Sequence, residues 1–252
     1  MAACDGYNKL LKSTDYDLKL QKAKEYYDKK VFMRSSELYE ELIPIVKGTD
    51  KAADVYYFFT WSEYYMGDYM LSQYHFKNFT RQYPNSPYVE ECAYMSAYCY
   101  FLNSPNFTLD QTHSKDAIKE FQSFIDNYPE SKRLDTCNIL VDQLNSKIEK
   151  KEYEIIKQYF KLDDWKATIV AVRNYIKEHP ASANNDELYY YLIDSYYLLA
   201  INSVHHKKEE RLNAVVENYV KFIDLYPKSS YLSRAESIYN NSKRLKEKLN
   251  ND

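Results

Sequence analysis

Two adjacent histidines mark the first place where residue types and spacing could bind a metal. His205 and Glu209 lie four residues apart, a spacing that brings both side chains to one helix face. Imidazole nitrogen and carboxylate oxygen are both zinc ligands. Adjacent histidines point in different directions, so His206 does not join His205. Apart from the neighbouring Glu210, no other ligand is apparent, and the segment lies in an insertion between predicted helices. We therefore expect no bound metal and no cofactor.

Catalytic and membrane-spanning motifs are also missing from the sequence. It contains no Gly-rich phosphate loop, no Ser/His/Asp set and no cysteine pair with metal-ligand spacing. We therefore predict a protein that is not an enzyme. The net charge of −3 argues against nucleic acid as a partner, because phosphate binding needs a basic surface. No run of 18 or more apolar residues is present.

The four cysteines have different expected roles. Cys92 and Cys99 lie about 10 Å apart along one helix face, which is too far for a disulfide. We expect them, with Cys137, to be buried as small apolar residues. Cys4 ends the segment "MAAC", which fits the end of a bacterial lipobox, and we expect the chain to begin near a signal-peptide cleavage point. A vector origin for the residues before Cys4 stays open.

Helical periodicity with a repeated ending dominates the rest of the chain. In 115–128, "KDAIKEFQSFIDNY", the apolar residues follow the i, i+3/i+4, i+7 pattern of a helix. Proline cannot continue a helix and pushes the preceding residue out of the α region, so an aromatic or His before Pro predicts a helix end. These dipeptides are Tyr83-Pro84, Tyr128-Pro129, His179-Pro180 and Tyr226-Pro227. Ser86, Ser131 and Ser229 or Ser230 then offer N-caps for the next helix.

The spacing of these endings predicts a helical-repeat fold. Residues 53–86 resemble the 34-residue tetratricopeptide (TPR) pattern, with the turn at Gly67-Asp68-Tyr69 and the end at Pro84. Asp163-Asp164-Trp165 occupies the same turn position in the fourth unit. In a degenerate first copy, Lys30-Val31 stands where the second unit has Gly67-Asp68. With 29 tyrosines and only 3 glycines, a strand-rich fold is disfavoured. We predict an all-α TPR-type solenoid.

Five helix–turn–helix units are expected within three regions of the chain. A lipoprotein lead or linker occupies 1–16, the N-terminal units occupy 17–147, and the C-terminal units with a capping helix occupy 148–252. The third and fifth units carry the longer insertions "LNSPNFTLDQTHS" and "INSVHHKKEER". Segment 132–147 completes the packing between the third and fourth units. The unit bounds are about 17–50, 51–86, 87–131, 148–182 and 183–229, with the capping helix from about 230.

The order of these features resembles the BamD family, TPR lipoproteins of the bacterial outer-membrane β-barrel assembly machinery. The features are Cys4, Lys12-Ser13 at the end of a short extended lead, the helix start Ala23-Lys24-Glu25-Tyr26-Tyr27, the junction from Phe79 to Tyr88 and the helix 163–180. The resemblance implies a non-enzymatic scaffold, acylated at Cys4 on the periplasmic face of the outer membrane. Asp5 after Cys4 leaves the inner membrane open as an address.

The resemblance also implies two binding regions. The N-terminal repeats would receive unfolded outer-membrane proteins, and the C-terminal repeats would bind the BamA-like insertase beside other assembly lipoproteins. Superposing the TPR frame places the expected client-binding groove on the first helix of each unit, at Tyr27, Tyr57, Trp61, Tyr64, Tyr65, Tyr94, Tyr98 and Phe101. The expected partner interface comprises Trp165, Arg173, Arg234 and Arg244.

Two other functions remain open at this point. One is a periplasmic TPR adaptor that coordinates peptidoglycan synthesis or cell division. The other is a carbohydrate-binding TPR lipoprotein of a nutrient-uptake system. Neither is an enzyme, and both would use the same helical repeats as a binding scaffold.

Overall fold

The computed structural model describes the backbone of residues 2–249 and the side chains of residues 6–249. Within that part, the chain forms twelve α-helices and no strand, which confirms the predicted all-α class. The helices are α1 (Ala2–Leu11), α2 (Tyr16–Asp28), α3 (Phe32–Leu42), α4 (Ala52–Tyr65), α5 (Tyr69–Gln82), α6 (Val89–Leu102), α7 (Thr112–Asn127), α8 (Leu134–Lys161), α9 (Trp165–Glu178), α10 (Asn185–Ile201), α11 (His205–Leu225) and α12 (Leu232–Leu249).

Each of the five predicted units contains a pair of helices. The pairs are α2 with α3, α4 with α5, α6 with α7, the end of α8 with α9, and α10 with α11. The 28-residue α8 also includes the predicted packing segment before the fourth unit, and α12 is the predicted C-terminal helix. The chain divides into two compact units, Met1–Lys147 and Ile148–Asp252, and the division falls inside α8.

The aromatic–proline junctions end the helices as predicted. The residue before each proline has φ between −123° and −130° and ψ between 55° and 63°, outside the helical region. Its N–H still donates to the carbonyl four residues earlier, so the last helical hydrogen bond is kept. The four residues are Tyr83, Tyr128, His179 and Tyr226. Proline therefore sets where α5, α7, α9 and α11 stop.

The serines after these junctions act differently from the predicted N-caps. Each serine Oγ accepts from the N–H two residues later, and the next helix begins one residue beyond that. In three units the serine hydroxyl also donates to a carboxylate on the first helix of its own pair. The N-cap prediction was therefore wrong, and in these three units the serine links the turn to the first helix instead. The pairs are Ser131–Glu90 (2.6 Å), Ser182–Glu149 (2.6 Å) and Ser229–Asp186 (2.9 Å).

Three inter-helix turns share one backbone conformation. Lys30, Gly67 and Asp163 have φ of 60°, 87° and 55°, in the left-handed region. After two of these turns an aspartate caps the next helix. Asp68 accepts from the Leu71 N–H at 2.9 Å, and Asp164 accepts from the Ala167 N–H at 3.0 Å. The turn predicted at Gly67 is confirmed. Lysine carries the same φ in the first unit, where left-handed backbone is costly for a side chain with a Cβ.

The two insertions fold in different ways. Residues 103–111 form a loop held by the buried Gln111, whose amide donates to the carbonyls of Asn106 and Leu109 at 2.9 Å each. The second insertion was also expected to be a loop, but His205 begins α11. Charged, non-β-branched residues such as the lysines and glutamates of this segment favour helix, so the insertion lengthens α11 to 21 residues.

The N-terminal segment is a helix rather than the expected extended lead. Tyr7 and Leu10 of α1 are buried against α2, α3 and the start of α4. The Tyr7 hydroxyl donates to Glu37 at 2.6 Å, and the buried Lys19 Nζ donates to the carbonyl of Leu11 at 2.7 Å. The apolar and polar anchors of α1 therefore explain why this segment packs instead of extending.

The cysteines within the described side chains are buried, as predicted. Cys92, Cys99 and Cys137 are free thiols in the core formed by α4 to α8. Burial raises the pKa of Cys99 to about 12 and that of Cys137 to about 11, so both stay protonated at neutral pH. The side chain of Cys4 lies outside the described residues.

The left-handed turns make a stability prediction. Gly67→Ala should lower the free energy of unfolding by about 1 kcal/mol, because alanine is strained at this φ. No heavy atom lies within 4 Å of an added Cβ, so crowding plays no part. Lys30→Gly should raise the free energy of unfolding by about 0.5 kcal/mol by removing the same strain. Urea unfolding followed by circular dichroism measures both.

Asp163→Gly is the control, since aspartate tolerates left-handed backbone better than lysine and should show the smallest change. A shift of the unfolding midpoint in the same direction for Gly67→Ala and Lys30→Gly would contradict this account of the turns.

Candidate functional site

A set of aromatic rings crosses the first three helices of the N-terminal repeats. We call it the N-terminal aromatic surface, and it comprises Tyr27, Phe32, Phe58, Trp61 and Tyr65. Phe32 and Trp61 both stack on Tyr65, with ring centroids 4.6 Å and 5.4 Å away. Tyr27 meets Phe58 edge to face at 5.0 Å. Tyr65 is 50% exposed, so the set of rings ends at an open aromatic face.

Sequence reasoning named Tyr27, Trp61 and Tyr65 but missed Phe32 and Phe58. Phe32 begins α3, which the TPR frame assigns to the second helix of a unit, so it was not considered for the surface. Phe58 directly follows Tyr57 in α4 and stacks on the buried Tyr39 of α3. The run of aromatic residues in α4 could have indicated Phe58. Consecutive residues cannot all face one side of a helix, so some of these rings must lie on other faces.

Tyr64 joins this surface to the core beneath it. Its ring meets Trp61 edge to face at 5.3 Å and lies 6.4 Å from the buried Phe76. Burial raises the pKa of Tyr64 to about 12, and burial also raises the pKa of Tyr27. Both hydroxyls are therefore neutral at physiological pH and can act as hydrogen-bond donors.

Tyr57 makes a contact that recurs in the fourth unit. Its hydroxyl donates to Glu91 at 2.6 Å, and its ring stacks on Tyr88 at 4.1 Å. Tyr153 donates to Glu187 across the same separation of 34 residues. Each pair links the first helices of consecutive units, so the Tyr57 hydroxyl is engaged in packing. The repeat length itself was the signal that could have revealed this link.

The three aromatics named in the third unit form a ladder along α6. Tyr94 stacks on Tyr98, and Tyr98 stacks on Phe101, with both centroid distances 5.9 Å. Tyr94 is only 8% exposed, and the guanidinium of Arg133 lies 4.6 Å from its ring centroid. Tyr94 therefore offers little surface to a ligand, whereas Tyr98 and Phe101 are half-buried.

The predicted partner-interface residues do not gather at one point. Trp165 is half-buried at the start of α9, and Arg173 is exposed on the same helix, where its charge acts on Glu217 of α11. Arg234 and Arg244 are exposed on α12, about 15 Å apart along its axis. These side chains therefore spread over α9 and α12 instead of forming one cluster.

A small pocket near the end of α12 was not predicted from the sequence. Its volume is about 230 Å³, and apolar side chains from α10, α11 and α12 line it together with two lysines. Leu245 and Leu249, four residues apart on α12, were the available signal because their spacing marks one helix face. The lining residues are Ala200, Ile201, Lys208, Leu212, Leu245, Lys248 and Leu249.

The histidine pair weighed as a metal site is exposed at the start of α11, as are Glu209 and Glu210. Over the described side chains, the group of three potential metal ligands that lie together is instead Glu152, Glu178 and His179. No helix within the described part of the chain has the length and apolar character needed to cross a membrane.

Comparison with known proteins covers both compact units. The model of the YfiO family, described as "Outer membrane lipoprotein", matches residues 17–170 and 144–250. The outer membrane protein assembly factor BamD of Caulobacter vibrioides is 24% identical over 141 residues, which are 56% of this chain and 45% of that protein. The chain thus aligns with less than half of that relative's length.

Among solved structures, kinesin light chain TPR-like repeats from Podosopora anserina match 81% of this chain and 94% of their own. The identity is 9% and the TM-score 0.35, too low to support a conclusion about fold or function. The family match extends over far more than half of the chain and confirms the resemblance seen in the sequence. The chain therefore belongs to the YfiO family of outer membrane lipoproteins.

Proposed function

We propose that this chain is a non-enzymatic scaffold of outer-membrane protein assembly. Its N-terminal repeats receive unfolded β-barrel clients, and its C-terminal repeats bind a BamA-like insertase beside other assembly lipoproteins. Family membership and the assembly role of the Caulobacter relative support this process. The N-terminal aromatic surface is the observation that carries the client-binding part.

The aromatic surface suits an extended client with an aromatic end. Tyr and Trp give large contact area at a low entropic cost because few of their torsions must be ordered on binding. Phe32 and Trp61 hold the Tyr65 ring by stacking on it, so the exposed ring is ordered before a client arrives. The Tyr27 hydroxyl stays neutral because burial raises its pKa, and its interaction with Tyr65 also helps to order the exposed ring.

The C-terminal repeats offer a different surface for a folded partner. The pocket bounded by Leu212, Leu245 and Leu249 can receive an apolar side chain, while Lys208 and Lys248 at its rim favour acidic neighbours. Arg244 is exposed on the same helix as the pocket residues. We place the insertase contact on this side of α12 and on the exposed face of α9 that carries Arg173.

The membrane anchor in this proposal is the acylated Cys4 on the periplasmic face of the outer membrane. One acyl chain binds a membrane only marginally, so firm anchoring needs the several chains that bacterial lipoproteins carry. The anchor then holds the repeats beside the membrane, where clients arrive and the insertase resides.

Tyr65→Ala should weaken the binding of peptides taken from the C-termini of outer-membrane barrel proteins by about tenfold, because a central aromatic anchor contributes roughly 1–2 kcal/mol. Trp61→Ala should weaken it as well, since the Tyr65 ring then loses a stacking partner. Fluorescence anisotropy with a labelled peptide measures the dissociation constants.

Tyr74→Ala is the matched control. Tyr74 is 59% exposed but lies on α5, the second helix of the same unit. Its substitution should leave peptide affinity unchanged. Equal affinities for the chain, Tyr65→Ala and Tyr74→Ala would remove the aromatic surface from the client site.

The anchor makes a separate prediction. In cells of the source bacterium given a fatty-acid analogue, the protein should incorporate the label, and Cys4→Ser should abolish it. Label on the Cys4→Ser variant would place the acyl group elsewhere. Cys137→Ser controls for incidental thiol labelling.

A further inference from the structure

One position of the repeat changes its chemistry in a single unit. The residue before the closing proline is tyrosine in three of the four units that end this way, and it is His179 in the fourth. In the second unit this tyrosine ring lies 6.0 Å from Tyr56, and in the fifth unit Tyr226 lies 5.7 Å from Tyr189. In the second and fifth units, an aromatic pair therefore joins the first helix to the end of the second.

In the fourth unit a carboxylate and an imidazole replace that aromatic pair. Tyr57 and Tyr153 make the same contact in their units, so Glu152 holds the position that Tyr56 holds. The Nε2 atom of His179 lies 2.8 Å from the Glu152 carboxylate. Compared with the second unit, both positions hold metal-ligand types in place of aromatic residues.

A third ligand stands beside this pair. Glu178 directly precedes His179, and its carboxylate, the Glu152 carboxylate and a His179 ring nitrogen all lie within 4.8 Å of one another. Glu178 is exposed, whereas Glu152 and His179 are half-buried. A hydrogen bond from the Ser182 hydroxyl holds the pKa of the Glu149 carboxyl below its usual range, and the nearby His179 acts in the same direction.

We propose that Glu152, Glu178 and His179 bind a divalent transition-metal ion, with Zn²⁺ the best match. One imidazole and two carboxylates suit zinc, while Mg²⁺ and Ca²⁺ prefer oxygen ligands alone. Tetrahedral zinc with bonds of about 2.1 Å places its ligand atoms about 3.4 Å apart. The Nε2 atom lies 2.8 Å from the Glu152 carboxylate and all three ligand atoms lie within 4.8 Å of one another, so side-chain rotation would have to bring them to this spacing. The exposed side near Glu178 would leave the fourth position to water.

The ion would join the second half of α8 to the end of α9. Glu152 lies on α8, whereas Glu178 is the last residue of α9 and His179 is its C-cap. Because folding brings the three ligands together, binding would stabilise this helix pair against unfolding.

Isothermal titration calorimetry of the chelator-treated full chain with ZnCl₂ tests the proposal. We expect one zinc site per chain. The double variant His205→Ala/His206→Ala should bind Zn²⁺ as tightly as the unsubstituted chain, whereas His179→Tyr should bind it at least about tenfold more weakly. His179→Tyr restores the residue that the other units use, so it should fold. Glu178→Gln, at an exposed side chain, is a second test that does not disturb packing.

Thermal unfolding gives an independent measure. Zn²⁺ should raise the melting temperature of the chain and of the His205→Ala/His206→Ala variant, but not that of His179→Tyr. Three results would each overturn the proposal. The first is that the chain binds no zinc, and the second is that His179→Tyr and Glu178→Gln both bind zinc as tightly as the unsubstituted chain. The third is that the His205→Ala/His206→Ala variant loses zinc binding.

Discussion

Proline at the end of four of the five helix pairs is the constraint on which the rest of the repeat depends. It removes one backbone donor and moves the preceding residue to φ near −125°, so the helix must end there. The chain then turns, and the serine two residues after the proline binds the N–H of the next turn and, in three units, a carboxylate of the first helix. One residue type thus determines helix length, turn position and the closing contact of a unit.

The sequence predicted this architecture well because its signals are local. Periodicity and Pro84, Pro129, Pro180 and Pro227 were enough to locate five helix pairs. The errors came where tertiary contacts decide. The α1 helix depends on Tyr7 meeting Tyr26 of α2 and Glu37 of α3, and a single segment cannot show such a contact.

The candidate site was less predictable than the fold. Periodicity places Tyr57, Tyr94 and Tyr65 alike on first helices, but it does not tell which of them faces a neighbour. Tyr57 is held by Glu91, Tyr94 lies under Arg133, and Tyr65 stays open. These outcomes depend on residues more than 30 positions away, so only the packed structure separates scaffold from surface.

The high tyrosine content has a common physical explanation. Tyrosine fills the space between helices with its ring and still offers a hydroxyl, which serves in this chain to bind carboxylates across repeats, as in Tyr57–Glu91 and Tyr153–Glu187. Where half of the ring stays exposed, as at Tyr65, the same residue leaves an open aromatic face. Packing contacts and an open aromatic face therefore arise from one residue type.

The central claim is that this family member works as a scaffold joined to a barrel insertase. Co-purification of the tagged full-length protein from native membranes in mild detergent tests it most directly, with an unrelated tagged outer-membrane lipoprotein as control. The account predicts that a BamA-like barrel protein elutes with the chain in near-equal amount and is absent from the control. Recovery of the chain without any such barrel protein would contradict it.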